Sequence, residues 1–161
     1  MSPSPADGFP VVVAFDGSAP ARAAIGAAVT LFGDRGLIVV TVWEPGLARV
    51  TQMQPDPMTY TYIVPSAEVV AAVDRRDQQH AEAVAEAGAR LARELGATAE
   101  ALAVADAGEV AEAICEIADQ RAAVAVVVGS RGLAGVKARL FGSTSRRLLH
   151  ESPRPVLVVR D

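Results

Sequence analysis

A parallel β-sheet with helices on both faces, an α/β fold, is what this sequence predicts, and three observations carry the prediction. Four short runs are continuously apolar and rich in β-branched residues: PVVVAF at 10–15, LIVVTVW at 37–43, AAVAVVV at 122–128 and PVLVV at 155–159. Such runs suit strands buried on both faces. Between them lie Ala-rich stretches with apolar residues at helical spacing. Strands that alternate with helices close into a parallel sheet through crossover connections. Of the 161 residues 51% are apolar but only 4% are aromatic, so Val, Ala, Leu and Ile must fill the core.

Taken in order, residues 1–8 are Pro/Ser-rich and expected to be disordered, which leaves 9–161 as one domain. After the first strand, Asp16-Gly17-Ser18 reads as a turn, with Ser18 as N-cap and Pro20 in the first helical turn. Ile25, Ala28, Val29 and Phe32 form the inner face of that helix, and Gly33 to Gly36 ends it. The second strand, 37–43, leads into the Pro-interrupted stretch 44–65, a loop long enough to suggest a functional role. A long helix is expected from Ser66 to Leu95, with Val70, Val73, Ala81, Val84, Leu91 and Leu95 inward and Gly96 as its stop. Residues 97–104 carry the weakest strand pattern. Asp106-Ala-Gly-Glu109 resembles an Asp-started capping box opening a helix with Val110, Ile114 and Ile117 inward. The strand at 122–128 is followed by the loop-rich segment 129–142, a short helix at 143–150 with Ser143 as N-cap, and the last strand.

The net charge is −4, which argues against a general nucleic-acid binder. Most acids fall between Ser66 and Gln120, whereas 131–154 holds Arg131, Lys137, Arg139, Arg146, Arg147 and Arg154 against Glu151 alone. A basic patch on an acidic protein suits a small anionic ligand, and equally a solvated surface. A single cysteine, Cys115, allows neither an intrachain disulfide nor a cysteine-based zinc site, and reads as a small core residue. His80 reads as a partly exposed surface residue, and neither it nor His150 has a partner at metal-ligand spacing. The N-terminus lacks the features of a secretory signal and no apolar run reaches bilayer-spanning length, so the cytoplasm is the expected location.

Ligands of such folds sit beyond the carboxyl ends of the strands, which directs attention to the loops after Phe15, Val42 and Val128. The last of these reads GSRGLAGVKARLFGSTS. Gly129 directly after a strand permits a sharp turn, and Gly132 and Gly142 leave room for a ligand against the backbone. The first turn of the following helix offers N–H groups and the positive end of its dipole to an anion. Hydroxyls of Ser143, Thr144 and Ser145 add donors, and Arg131, Lys137 or Arg146 offset phosphate charge. Neither GxxxxGK[ST] nor GxGxxG is present. From spacing alone, the segment is a phosphate site or an ordinary loop with a capped helix.

Gly129, Gly132, Gly142 and Ser143 follow G-x2-G-x9-G-[ST], which resembles the ATP-binding signature of the universal stress protein family. The likeness extends over nearly the whole chain, through VVVAFDGSAPARAAI, VTVWEP, DAGEVAEAICEIA and VVVGSRGLAGVKARLFGSTSRRLLHESPRPVLVV. Only residues 1–8 and the 44–65 loop, variable in that family, lie outside it. The resemblance implies a three-layer α/β/α, Rossmann-like fold (adenine nucleotide alpha hydrolase-like) with a five-stranded, mostly parallel sheet in the order 3-2-1-4-5. It also implies ATP as ligand; an accompanying Mg²⁺ bound through the phosphates and one held by the protein are both left open by the sequence. Asp16 then matches the acid near the adenosine, with Ala14 and Phe15 beside it. Val42 matches the position whose backbone meets adenine. Val128, Gly129, Arg131 and Gly132 would line ribose and phosphates, and Gly142, Ser143, Thr144 and Ser145 would hold the phosphates. Many members carry His where Arg131 stands, and Arg cannot serve as a titrating base. On its own, Asp16 reads as a turn former before Ser18.

The resemblance implies a nucleotide-dependent regulator in stress response; the residues of the loop themselves argue against an enzyme, and no catalytic or metal-ligating residue is assigned. The resemblance further implies homodimerisation through Pro155–Val159, with an unknown protein partner; the net charge and the apolar run lengths, not the resemblance, argue against nucleic acid and membrane as targets. Weak ATPase or autophosphorylation at Ser143, Thr144 or Ser145 is the alternative, and a dimerising member without nucleotide a third. No general base or acidic pair for Mg²⁺ stands in the loop.

Overall fold

A computed structural model describes residues 8–46, 66–131 and 142–160. Among them the chain runs β1 (Val11–Ala14), α1 (Ala19–Phe32), β2 (Leu37–Trp43), α2 (Ala67–Glu94), β3 (Ala99–Ala105), α3 (Val110–Gln120), β4 (Ala125–Gly129), α4 (Ser143–Glu151) and β5 (Val156–Val159). The five strands are all parallel, in the order β3-β2-β1-β4-β5. The central strands are continuously apolar because both of their faces are covered. Val11, Val13 and Phe15 pack with Ala24, Ile25 and Ala28 of α1 and with Ala89 and Ala92 of α2. Val12 points the other way, onto Ile114 and Ala118 of α3 and Leu148 of α4. Two helices thus lie on each side of the sheet. None among the described residues is long and apolar enough to cross a membrane.

Local chemistry explains the helix boundaries. The Ser18 hydroxyl oxygen caps α1 by accepting the Ala21 N–H at 3.3 Å, and Pro20 fits the first turn, where no intrahelical donor is required. Gly96 ends α2 in the left-handed region at φ +94°. Gly96 N–H donates to Arg93 and Ala97 N–H to Ala92, the paired bonds of a Schellman motif.

Four expectations are corrected. β4 begins at Ala125, not Ala122, because Ala122 itself adopts φ +50° and closes α3 with the same pair of bonds, its N–H to Asp119 and that of Ala123 to Ala118. No capping box opens α3: its N-cap is Glu109 without a side-chain bond, and Asp106 instead accepts the Gly108 N–H at 3.2 Å. The N-cap of α4 is Gly142, which leaves Ser143 inside the first turn. Finally, Val73 and Leu95 are 39% and 50% exposed, and α2 buries Ala81, Ala85, Gly88, Ala89 and Ala92. Small residues serve there because the helix lies close to the sheet. A Cβ on Gly88 would come within 2.7 Å of the Phe15 ring and 2.8 Å of Val39.

Candidate functional site

The C-terminal ends of β1, β2 and β4 and the start of α4 come together on one side of the sheet, as a parallel α/β fold requires. At the end of β1, Ala14 is half-buried and Phe15 is a core residue whose ring packs beneath α2. Phe15 C=O accepts the Thr41 hydroxyl at 2.8 Å, which joins the two strand ends. The chain then turns through Gly17 at φ +82°, and Asp16 Oδ1 accepts the Ser18 N–H at 2.9 Å. Asp16 is therefore a turn former in fact, and it also lines the cavity described below.

At the end of β4, Val128 is buried in the α3/α4 core. The need for glycine at 129 is a close approach to another element rather than a left-handed turn. A Cβ there would lie 2.7 Å from the backbone of Pro20 and 2.9 Å from that of Ala21. Ser130 is buried, and Arg131 is half-buried. Ser130 N–H donates to Val159 of β5 at 2.7 Å, and Ser130 C=O accepts the Gly142 N–H at 2.6 Å. The buried Ser145 hydroxyl lies 3.2 Å from Ser130 C=O and 3.1 Å from Gly142 C=O, so it is committed to the neck of the loop. Gly132, with Lys137 and Arg139, lies outside the described residues.

The N-cap of α4, Gly142, has no side chain with which to cap the helix. The first intrahelical bond runs from Arg146 N–H to Gly142 C=O, so the N–H groups of Ser143, Thr144 and Ser145 precede it and converge at the helix mouth. Ser143 is exposed there and Thr144 half-buried. Two members of the basic patch are engaged elsewhere. Arg147 pairs with Glu109 and Glu151, and its hydrogen bond to Glu151 helps hold its guanidinium above the ordinary range. Arg154 pairs with Asp119.

A cavity of about 480 Å³ opens over the ends of β1, β2 and β3, within the usual range for a small-molecule site. Thr41, Val42, Trp43 and Glu44 form its floor beside Asp16. One wall is Asp77, His80, Ala81 and Val84 of α2, and another is Asp106, Gly108 and Val110 around the start of α3. Val110, expected inward, is instead 43% exposed at this rim. Four carboxylates thus face a partly apolar, Trp-lined space, whereas the α4 end of the site offers N–H groups. Among the described residues no group of three or more His, Cys, Asp or Glu is placed to hold a metal ion.

Asp77, His80 and Asp106 were not singled out as site residues by sequence reasoning. Two signals pointed to them. In a parallel sheet the loop after β3 opens on the same side as those after β1 and β2, which places Asp106 there. Asp77, Ala81 and Val84 also share one helical stripe, at i, i+4 and i+7.

The fold and this cleft define a Rossmann-like α/β protein. The model of the universal stress protein family matches residues 9–160. A Thermus aquaticus relative, the "Universal stress protein in QAH/OAS sulfhydrylase 3'region", is 32% identical over 152 residues, covering 93% of this chain and 97% of its own length. The solved structure of hypothetical protein MJ0577 shares the fold at a TM-score of 0.73 and 19% identity, covering 95% of this chain and 96% of that one. A universal stress protein solved in complex with cAMP matches at a TM-score of 0.59 and 26% identity, covering 94% and 95% of the two chains. The chain belongs to the universal stress protein family.

Proposed function

We propose that this protein binds an adenine nucleotide, ATP, across the strand ends, and acts as a nucleotide-dependent regulator in the cytoplasm rather than as an enzyme. The observation that carries the reading is the electrical polarity of the site. Asp16, Glu44, Asp77 and Asp106 repel a polyanion from the cavity. The start of α4, whose N-cap is a glycine, by contrast presents N–H groups and the positive end of its dipole. A ligand with a neutral ring at one end and phosphates at the other matches both. The base and ribose would occupy the cavity near Ala14, Phe15, Asp16 and Val42. The phosphates would lie along Val128, Gly129, Arg131 and Gly132 toward Gly142, Ser143 and Thr144, with Ser145 bracing the loop from below. The cAMP complex of the 26%-identical relative supports an adenine nucleotide as the ligand class.

The α4 end offers hydroxyls and N–H groups without a carboxylate, a donor set suited to Mg²⁺ carried by the phosphates rather than by the protein. The edge strand β5 is the surface we assign to homodimerisation, since β4 occupies only one of its sides. Ligand binding would alter the surface offered to a protein partner.

The test is to purify the protein without added nucleotide, denature it and identify any released small molecule, then titrate ATP against the wild type and Gly142→Glu. Binding weakened by about tenfold or more in the variant is expected, because a carboxylate then stands at the helix mouth. The reading fails if no nucleotide co-purifies and ATP shows no Gly142-sensitive binding.

A further inference from the structure

Asp106 stands at an unusual point of the cavity. Its N–H donates to Trp43 C=O at 2.9 Å, which extends the β2–β3 ladder by one residue and fixes its backbone beside the floor of the cavity. Oδ1 accepts the Gly108 N–H at 3.2 Å. Oδ2 is buried and has no hydrogen-bond partner. A buried acceptor left without a donor is costly, and few are found in native proteins. The cavity floor next to it is apolar and aromatic, with Val42 and Trp43. Rotation about the terminal torsion of an Asp side chain is soft, so a small swing presents Oδ2 to whatever occupies that floor.

We propose that Asp106 reads the base of the bound nucleotide and selects a purine that carries an amino group at position 6 over one that carries a carbonyl there. This rests on the nucleotide reading above. A carboxylate only accepts hydrogen bonds. An exocyclic amino group donates to it and satisfies the orphaned oxygen. In the pose that sets position 6 against Oδ2, a 6-oxo group places a second acceptor there, and the N1–H of such a base reaches Oδ2 only if the base shifts out of that pose. The selection is therefore by repulsion as well as attraction.

ATP and inosine triphosphate form the discriminating pair, since they differ only at position 6 and the proton that accompanies it at the ring nitrogen. Their affinities are measured by calorimetry for the wild type and for Asp106→Asn, with thermal unfolding of each protein as a check on folding. The wild type is expected to prefer ATP by about tenfold or more. In Asp106→Asn the side chain gains a donor, and the ratio is expected to fall toward one, chiefly because inosine triphosphate binds better. Equal affinities in the wild type would overturn the proposal while leaving nucleotide binding intact. An unchanged ratio in a folded Asp106→Asn would overturn it too, by assigning the discrimination to another group. Failure of both nucleotides to bind the wild type would overturn the nucleotide reading and this proposal with it.

Discussion

Ser130 C=O accepts the N–H of Gly142 at 2.6 Å. This single bond brings Ser130, after β4, against Gly142, before α4, at the site. Ser130 N–H is tied to Val159 of β5 and the Ser145 hydroxyl reaches the same carbonyl oxygen from α4. The end of β4, the edge strand and the helix start are thus joined through one residue, Ser130.

Ser145→Ala removes the buried hydroxyl from that neck. The loss of one hydrogen bond is expected to cost about 1 kcal/mol of stability. The nucleotide affinity should fall in parallel, because α4 is no longer braced against β4. Urea unfolding and ATP titration of the same preparation check both. Full stability together with full affinity would show that the neck depends on the backbone bond alone.

Gly88 and Gly129 are close-contact glycines, whereas Gly17 is a conformational one. Alanine at 88 or 129 places a Cβ within 3 Å of neighbouring atoms, and overpacking of this kind costs about 1–3 kcal/mol. Alanine at 17 meets nothing within 4 Å, but must hold φ +82°, at a cost of about 1–2 kcal/mol. Denaturation midpoints should drop for all three. A cavity-creating second substitution beneath Gly88, such as Val39→Ala, should partly rescue Gly88→Ala, and no such partner exists for Gly17→Ala.

Ala122 pays a conformational cost that glycine would avoid. It holds φ +50° as the left-handed residue closing α3. Ala122→Gly is expected to stabilise the protein by up to about 1 kcal/mol, the relief of left-handed strain less the added freedom of the unfolded chain. A lower melting temperature for the variant would contradict this.

Burial raises the pKa of the Cys115 thiol, with a hydrogen bond to Ser152 opposing the shift. The folded state therefore holds this proton more tightly than the unfolded chain. The resulting stability is whole below the ordinary thiol pKa of about 8.5 and is lost as pH rises from there through the raised value. The stability difference between wild type and Cys115→Ala should shift in favour of the variant across that window. Native Cys115 should also be alkylated more slowly at pH 8 than the same thiol in urea.

Arg147 lies in the basic stretch of the sequence but is engaged with Glu109 and Glu151. Arg147→Gln is expected to leave ATP affinity unchanged. Arg131→Gln should weaken it, with the loss shrinking as salt is raised. Equal effects at the two positions would mean that the field of the patch, not one residue, attracts the ligand.

The strands, the helices joining them and the parallel sheet were legible in the sequence because each follows from local pattern. Runs such as PVVVAF and LIVVTVW suit only a doubly covered strand, and Ser18 and Gly96 mark helix boundaries through their own backbone and side-chain chemistry. The glycines of the 129–142 segment were legible too, but the physical need at Gly129 was not, since Pro20 is brought against it only by the packing of α1 on β4. Likewise the burial of Ala81, Ala85 and Ala89 rather than Val73 and Leu95 depends on how closely α2 lies on the sheet at Gly88. The acidic cavity is a tertiary feature altogether. Asp16 follows β1, Asp77 stands on α2 and Asp106 follows β3, and only the crossover connections of a parallel sheet bring their carboxylates around one space. Hydrophobic periodicity reports which side of an element faces inward. Which residues meet across the ends of the strands is decided by how those elements pack.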